Sequence, residues 1–132
     1  MFELYKHFDY AAGHRLYFIE NDDDGLILID DLLSLLQDND WRRKLVSISF
    51  ANSEIGTIQN IKTIAQIAHE NGVLFHTDAV QGFLKIPFQA KTLGADLISI
   101  SSHKVHGPKG AGALYITPRL RSFPPLMIGG GQ

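Results

Sequence analysis

Apolar and polar positions alternate along the chain with two periods, which predict strands and helices in alternation. Residues 44–51 form a nearly continuous apolar run rich in β-branched side chains, which predicts a strand buried on both faces. Residues 72–77, 96–101 and 112–116 have the same character and predict three further strands. The short β-prone run 17–19, which ends in an acidic Asn-Asp-Gly-type turn, predicts one more strand near the start.

Helical periodicity lies between these strands. Between residues 60 and 71 the apolar side chains fall on one face, and Asn71 followed by Gly72 supplies a C-terminal stop, so a helix is predicted. Residues 26–36 predict a second helix and residues 88–93 a shorter one. Strands that alternate with helices indicate the α/β class, with a mostly parallel sheet covered by helices.

Composition narrows the possible classes of protein but does not identify a function. The chain has 132 residues, 45% of them hydrophobic, a formal net charge of -2 and no cysteine, which fits one globular domain or a piece of a larger one. Disulfides, thiolate metal sites and cysteine nucleophiles are therefore excluded from this chain. No run approaches the ~18 apolar residues of a membrane span, and residues 1–7 lack a signal-peptide layout. We expect a cytoplasmic protein that does not bind membranes.

Charge is distributed unevenly. Residues 1–40 hold ten acidic and two basic residues, whereas residues 41–132 hold four acidic and ten basic residues. The acidic positions are typical of a turn and a solvated helix. Lys104 and Lys109 lie among Gly, Ser and His rather than among exposed aromatic residues, which argues against nucleic-acid binding. No pair of histidines has the spacing of a metal site, so no metal is expected.

Polar side chains collect just after three of the predicted strands. They lie in residues 52–56 (Asn-Ser-Glu-Ile-Gly), 76–81 (His-Thr-Asp-Ala-Val-Gln) and 101–110 (Ser-Ser-His-Lys-Val-His-Gly-Pro-Lys-Gly). Ligands of open α/β sheets bind outside the carboxyl ends of the strands. An Asp at a buried strand end is costly unless a cationic or protonated ring nitrogen faces it, and a nearby Lys can be a catalytic amine if burial lowers its pKa. Together they suggest pyridoxal phosphate, which needs Lys for its Schiff base, Asp for its ring nitrogen and donors for its phosphate.

Simpler interpretations exist for each residue. Asp78, Ser101 and Ser102 could cap the segments that follow them, and residues 107–110 could be only a tight turn. Lys109 could be a solvated turn lysine, so Lys104, closer to the strand end, is the favoured amine. His76 is expected to be a satisfied strand-end histidine without a catalytic role.

The three segments, together with Gly129-Gly130-Gly131-Gln132, resemble the NifS/IscS-type cysteine desulfurases of the class V aminotransferase family. The resemblance covers residues 17–132, whereas residues 1–16 match weakly. It implies a fold of the aspartate-aminotransferase type, of which residues 1–132 would form part of the large domain that binds pyridoxal 5'-phosphate, without the C-terminal small domain. The glycine-rich end then marks an interrupted loop.

The resemblance also implies residue roles. Lys104 would form the Schiff base and later move protons, and Asp78 would pair with the pyridine nitrogen. Gln81 would donate to the phenolate oxygen, and Asn52 would lie near the ring and the substrate carboxylate. Ser101 and His103 would bind the phosphate. Ser53 departs from the commoner second asparagine of its motif.

The reaction that the resemblance implies takes sulfur from L-cysteine and leaves alanine, with a persulfide on an enzyme cysteine. The complete enzyme would be a homodimer that passes sulfur to an acceptor or scaffold protein for iron–sulfur or thio-cofactor assembly. The resemblance implies a longer enzyme whose stacking histidine, upstream phosphate-binding loop and persulfide cysteine lie outside residues 1–132. We therefore expect this chain, which has no cysteine, to be a truncated form with little or no turnover alone.

Two other interpretations stay open. The chain could belong to another class V enzyme, such as a selenocysteine lyase, a kynureninase-like hydrolase or a serine–glyoxylate aminotransferase. It could also be a non-catalytic remnant or an interaction domain.

Overall fold

The computed structural model describes residues 16–37 and 45–120. Its elements, in chain order, are the helix α1 (Ile29–Gln37), the strand β1 (Leu45–Ser49), the helix α2 (Ile61–Glu70), the strand β2 (Leu74–Asp78), the short helix α3 (Ala90–Leu93), the strand β3 (Leu97–Ser101), a 3-10 turn (Ser102–Val105), the strand β4 (Gly112–Ile116) and a second 3-10 turn (Pro118–Leu120). Residues 1–15 and the predicted loop that carries Gly129-Gly130-Gly131-Gln132 lie outside the described residues.

The four strands form one sheet in the order β1-β2-β3-β4. The pairs β1–β2 and β2–β3 are parallel, and β4 returns antiparallel to β3. The prediction of an α/β fold with a mostly parallel sheet is therefore confirmed, and so are its four core strands. Of the predicted helices, residues 88–93 shorten to the single turn of α3.

The core lies on one face of the sheet. On β1 and β2 the inward side chains are Val46, Ile48, Phe75 and Thr77, all buried. The helix α2 covers them with four buried side chains at helical spacing, namely Ile61, Ile64, Ala65 and Ala68. Asn60 caps α2, since its side chain accepts the N–H of Thr63 at 3.3 Å.

Two sequence predictions are wrong. The strand β1 is not buried on both faces: burial alternates along it, and Leu45 is 57% exposed. An apolar run shows that a strand can be buried, but what packs on its second face depends on the rest of the fold. Residues 17–19 do not form a strand, because the chain reverses at once and makes only an antiparallel bridge between Asn21 and Ile27 in this region.

The acidic turn of residues 21–25 docks on the loop that follows β1. Thr57 Oγ1 donates to the carbonyl of Asp24 at 2.5 Å, and Gln59 Nε2 donates to the carbonyl of Gly25 at 2.8 Å. Gly25 has a φ of +76°, and an added Cβ there would lie 2.5 Å from Ile55 Cδ1. The turn therefore supports the loop after β1, which carries candidate site residues.

A buried carboxylate ties the opposite edge of the sheet together. Asp96, which precedes β3, is 1% exposed. It accepts the N–H of Phe75 at 2.9 Å and contacts His69 Nε2 at 2.9 Å and Arg119 Nε at 2.5 Å. Burial raises the pKa of this carboxyl, but these hydrogen bonds and the guanidinium charge together outweigh burial and hold the pKa below its ordinary value.

The hydrogen bonds of Asp96 predict that the fold becomes less stable at acidic pH. A carboxyl whose pKa is lowered by folding stabilises the native state above its unfolded pKa, and that contribution is lost as the pH falls through its folded pKa. We expect Asp96→Asn to lower the free energy of unfolding near pH 7 by about 2 kcal/mol, because a neutral amide loses the charge-assisted hydrogen bonds to His69 and Arg119. Urea unfolding at pH 7 and at acidic pH measures both effects.

The exposed Asp23 of the turn provides the control. Asp23→Asn should keep the stability and acid dependence of the original chain. If Asp96→Asn unfolds with the same midpoint as Asp23→Asn at pH 7, the carboxylate does not hold this edge together.

Candidate functional site

Three chain segments that are distant in sequence meet at the carboxyl edge of the sheet. In the strand register, Asp78 is the partner of Ser49 on β1 and of Ser99 on β3. The backbone hydrogen bonds continue past the strands: the N–H of Phe50 donates to the carbonyl of Asp78 at 2.8 Å, and the N–H of Ala79 to that of Ser99 at 2.9 Å. The segments that follow β1, β2 and β3 therefore start side by side.

Asp78 is the last residue of β2 and is exposed. Its Oδ1 accepts the N–H of Val80 at 2.9 Å, so the capping interpretation is correct for one oxygen. No described residue donates to the other oxygen. Gln81 follows in the turn and is half-buried, next to Gly82, where an added Cβ would lie 2.6 Å from Phe50 Cδ1. The close approach of that ring to Gly82 fixes the turn that carries Gln81.

The segment after β3 holds a hydroxyl, an imidazole and an amine in sequence. Ser101 Oγ lies 2.6 Å from His103 Nδ1. The capping interpretation is wrong for Ser101, because its side chain contacts the His103 ring and accepts no backbone N–H of the 3-10 turn. Lys104 lies in that turn and is exposed, so the described residues do not supply the burial expected of a catalytic amine.

Ser102 connects this segment to the next turn through its side-chain hydroxyl. Its Oγ donates to the carbonyl of Pro108 and lies 3.0 Å from the carbonyl of Ala111. Within residues 107–110 the chain turns at Lys109 and Gly110; Gly110 has a φ of +85° and Lys109 is exposed. The Ser102 side chain thus joins the start and the end of the loop between β3 and β4, which carries Lys104.

Asn52 lies in the loop after β1 and is exposed. Its Oδ1 accepts the N–H of Glu54 at 2.8 Å and that of Ile55 at 3.4 Å. Since the amide oxygen is used by the loop itself, the amide nitrogen remains as the group that can donate to a ligand. All six predicted site residues therefore follow the carboxyl ends of three neighbouring strands.

His76 has more partners than the sequence indicated. Its Nδ1 lies 2.8 Å from Ser47 Oγ on β1, and its Nε2 lies 3.2 Å from Ser99 Oγ on β3. Burial lowers the pKa of His76, and the negative charge of Asp78 opposes this effect in part. The expectation of a satisfied histidine is confirmed, but the two serines that satisfy it come from other strands and gave no local signal.

The arrangement combines a carboxylate, a hydroxyl–imidazole pair, two amides and a primary amine. A carboxylate suits a cationic ring nitrogen, and hydroxyl and imidazole groups suit a phosphate, so these side chains fit the needs of a pyridine aldehyde phosphate. Within residues 16–37 and 45–120, no group of three His, Asp or Glu is placed to hold a metal ion. No helix in the same ranges is long and apolar enough to cross a membrane.

Comparison with known proteins finds cysteine desulfurases that are similar in sequence. The chain is 44% identical over 122 residues to the mitochondrial cysteine desulfurase of Candida maltosa, covering 91% of this chain and 24% of that protein. It is 45% identical to the cysteine desulfurase IscS of Methanosarcina thermophila, covering 92% of this chain and 29% of that protein. The chain thus spans about a quarter of the length of these relatives.

A solved structure gives the same result. The NifS-like protein from Rickettsia africae superimposes with a TM-score of 0.79 at 38% identity, over 100% of this chain and 36% of that one. The family model described as aminotransferase class-V matches residues 4–132. Because this match extends over nearly the whole sequence, the chain belongs to the class V aminotransferase family.

Proposed function

We propose that this chain carries the pyridoxal 5'-phosphate site of a cysteine desulfurase, an enzyme that takes sulfur from L-cysteine and leaves alanine. The observation that carries the proposal is the placement of Asp78 and Lys104 at the ends of adjacent strands, with both side chains exposed on the same sheet edge. The names of the relatives support the substrate, and the residue types at the strand ends support the cofactor. When bound, the cofactor supplies an electron sink for the bonds of the substrate Cα.

The part of each residue follows from its chemistry. The Asp78 carboxylate holds the ring nitrogen in its protonated form, through the oxygen that Val80 does not occupy. When Ser101 Oγ donates to His103 Nδ1, the ring N–H lies on Nε2 and can donate to a phosphate oxygen. When Nδ1–H donates to Ser101 Oγ instead, the serine hydroxyl is the group that can donate to the phosphate.

Lys104 is the proposed attachment point of the cofactor and the base that moves the Cα proton of the substrate. It directly follows His103 in the 3-10 turn, so a phosphate bound to Ser101 and His103 would bring the cofactor close to the Lys104 side chain. The amides of Asn52 and Gln81 are proposed as donors, to the substrate carboxylate and to the phenolate oxygen respectively.

The remaining parts of the reaction lie beyond this chain. It has no cysteine, so the thiol that receives the sulfur must come from another polypeptide segment. We propose that the chain corresponds to part of the large domain of a homodimeric enzyme, with an acceptor or scaffold protein as its sulfur partner. A cytoplasmic location stays a prediction, because a relative in Candida maltosa is named mitochondrial.

Covalent labelling tests the attachment point. After incubation with pyridoxal phosphate and reduction with borohydride, peptide mapping should find the pyridoxyl label on Lys104. Lys104→Ala should lose nearly all of the specific label, because the amine that forms the Schiff base is absent.

Lys109→Ala is the matched control, since Lys109 is also exposed and five residues away on the same loop. It should keep the label of the original chain. A label that follows Lys109 instead would contradict the assignment of Lys104.

Affinity measurements test Asp78. We expect Asp78→Asn to weaken pyridoxal phosphate binding by ~10-fold or more, because a neutral amide loses about 1.4 kcal/mol or more of attraction to a protonated ring nitrogen. Equilibrium titration of the cofactor absorbance gives the dissociation constants. Asp30→Asn, which changes an exposed carboxyl on α1, should bind as the original chain does, and equal constants for both variants would remove Asp78 from the site.

A further inference from the structure

A row of hydrogen-bonded polar side chains crosses the sheet next to Asp78. His76 precedes Asp78 by two residues on β2, so both side chains leave the same face of the sheet. The imidazole bridges to Ser47, which is its register partner on β1, and to Ser99, which is the register partner of Asp78 on β3. One side chain thus connects all three strands whose ends carry the candidate site.

Among residues 16–37 and 45–120, His76 has a single charged neighbour. On this face β1 contributes Leu45, Ser47 and Ser49 around it, and β3 contributes Leu97 and Ser99; none of them titrates. Among the described residues, Asp78 is the group whose charge acts on the pKa of His76. Burial lowers that pKa and is the larger effect, so the ring is neutral at neutral pH.

A neutral imidazole suits its two partners. It carries one N–H donor and one acceptor nitrogen, and a serine hydroxyl can serve either, so both ring nitrogens are satisfied in either tautomer. A protonated ring would instead place a cation beside Asp78. That cation would compete with any cationic ligand for the carboxylate.

We propose that His76 is a positioning residue for Asp78: its neutral imidazole, held between Ser47 and Ser99, braces the three strands and leaves the Asp78 carboxylate to a cationic ring nitrogen of the ligand. The inference rests on the proposed function only where it identifies that nitrogen as the one of pyridoxal phosphate. The link between His76 and Asp78 stands on the strand geometry.

Thermodynamic linkage allows the proposal to be tested by ligand binding and by the pKa of His76. If protonation of His76 weakens ligand binding at Asp78, ligand binding must lower the pKa of His76 by the same free energy. Removing the charge of Asp78 must also lower the pKa of His76, because the attraction that raises it is gone.

The first experiment needs no cofactor. The imidazole resonances of His76 are titrated by NMR in the original chain, in Asp78→Asn and in Asp30→Asn, with amide spectra to confirm that all three are folded. We expect a lower pKa of His76 in Asp78→Asn and an unchanged pKa in Asp30→Asn. An equal pKa in all three proteins would overturn the proposal.

The second experiment uses pyridoxal phosphate as the probe and His76→Gln as the variant, since glutamine can donate and accept but does not titrate. Dissociation constants are measured at pH 6 and pH 8. We expect the weakening of binding between pH 8 and pH 6 to be roughly twofold smaller in His76→Gln than in the original chain, because a lowered pKa leaves the ring of His76 only partly protonated at pH 6. The same pH dependence in both proteins would overturn the proposal.

The two experiments separate the two claims. If pyridoxal phosphate does not label Lys104 in the original chain, the proposed function fails, and the NMR titration alone decides whether His76 serves Asp78. If the label is present and the pKa of His76 does not respond to Asp78→Asn, the proposed function survives and the role of His76 is refuted.

Discussion

The parallel pairing of β1, β2 and β3 is the constraint on which the rest of the structure depends. Parallel strands need a crossover between them, and in this chain the crossover from β1 to β2 contains α2, whose apolar face covers the core side of the sheet. The same pairing puts the carboxyl ends of the three strands at one edge. Segments that lie about 20 to 30 residues apart in the sequence therefore meet at this edge, although no local sequence pattern encodes the contact between them.

The two edges of the sheet use polar groups in opposite ways. At the amino edge of β3, Asp96 is buried and has three partners, which makes it a structural clamp. At the carboxyl edge, Asp78 is exposed, and its Oδ1 accepts the N–H of Val80 in the turn that follows. The other carboxylate oxygen is left for a ligand. Breaking the hydrogen bonds of a buried carboxylate is costly, whereas an exposed carboxylate oxygen without a protein partner is available for binding. His76 lies between these two types, being satisfied, half-buried and next to Asp78.

Local patterns predicted the four core strands, the helix α2 and the strand-end positions of the candidate site, because strand and helix periods are encoded in neighbouring residues. They failed at β1, where an apolar Leu45 is exposed, since burial depends on what packs against that face. They also missed the contact of His69 and Arg119 with Asp96, which joins residues 27 and 23 positions apart. The serines that hold His76 were missed for the same reason. Side-chain partnerships across strands depend on register, which a single sequence does not reveal.

Amide chemical-shift mapping during a titration with pyridoxal phosphate shows whether the three strand ends form one cofactor site. We expect the amides of Asn52, Asp78 and Ser101 to shift together at one dissociation constant, as should those of Gln81, His103 and Lys104. The amides around Asp96, at the opposite edge, should stay unchanged. Shifts confined to a single one of the three segments, or spread evenly over exposed lysines, would contradict one shared cofactor site.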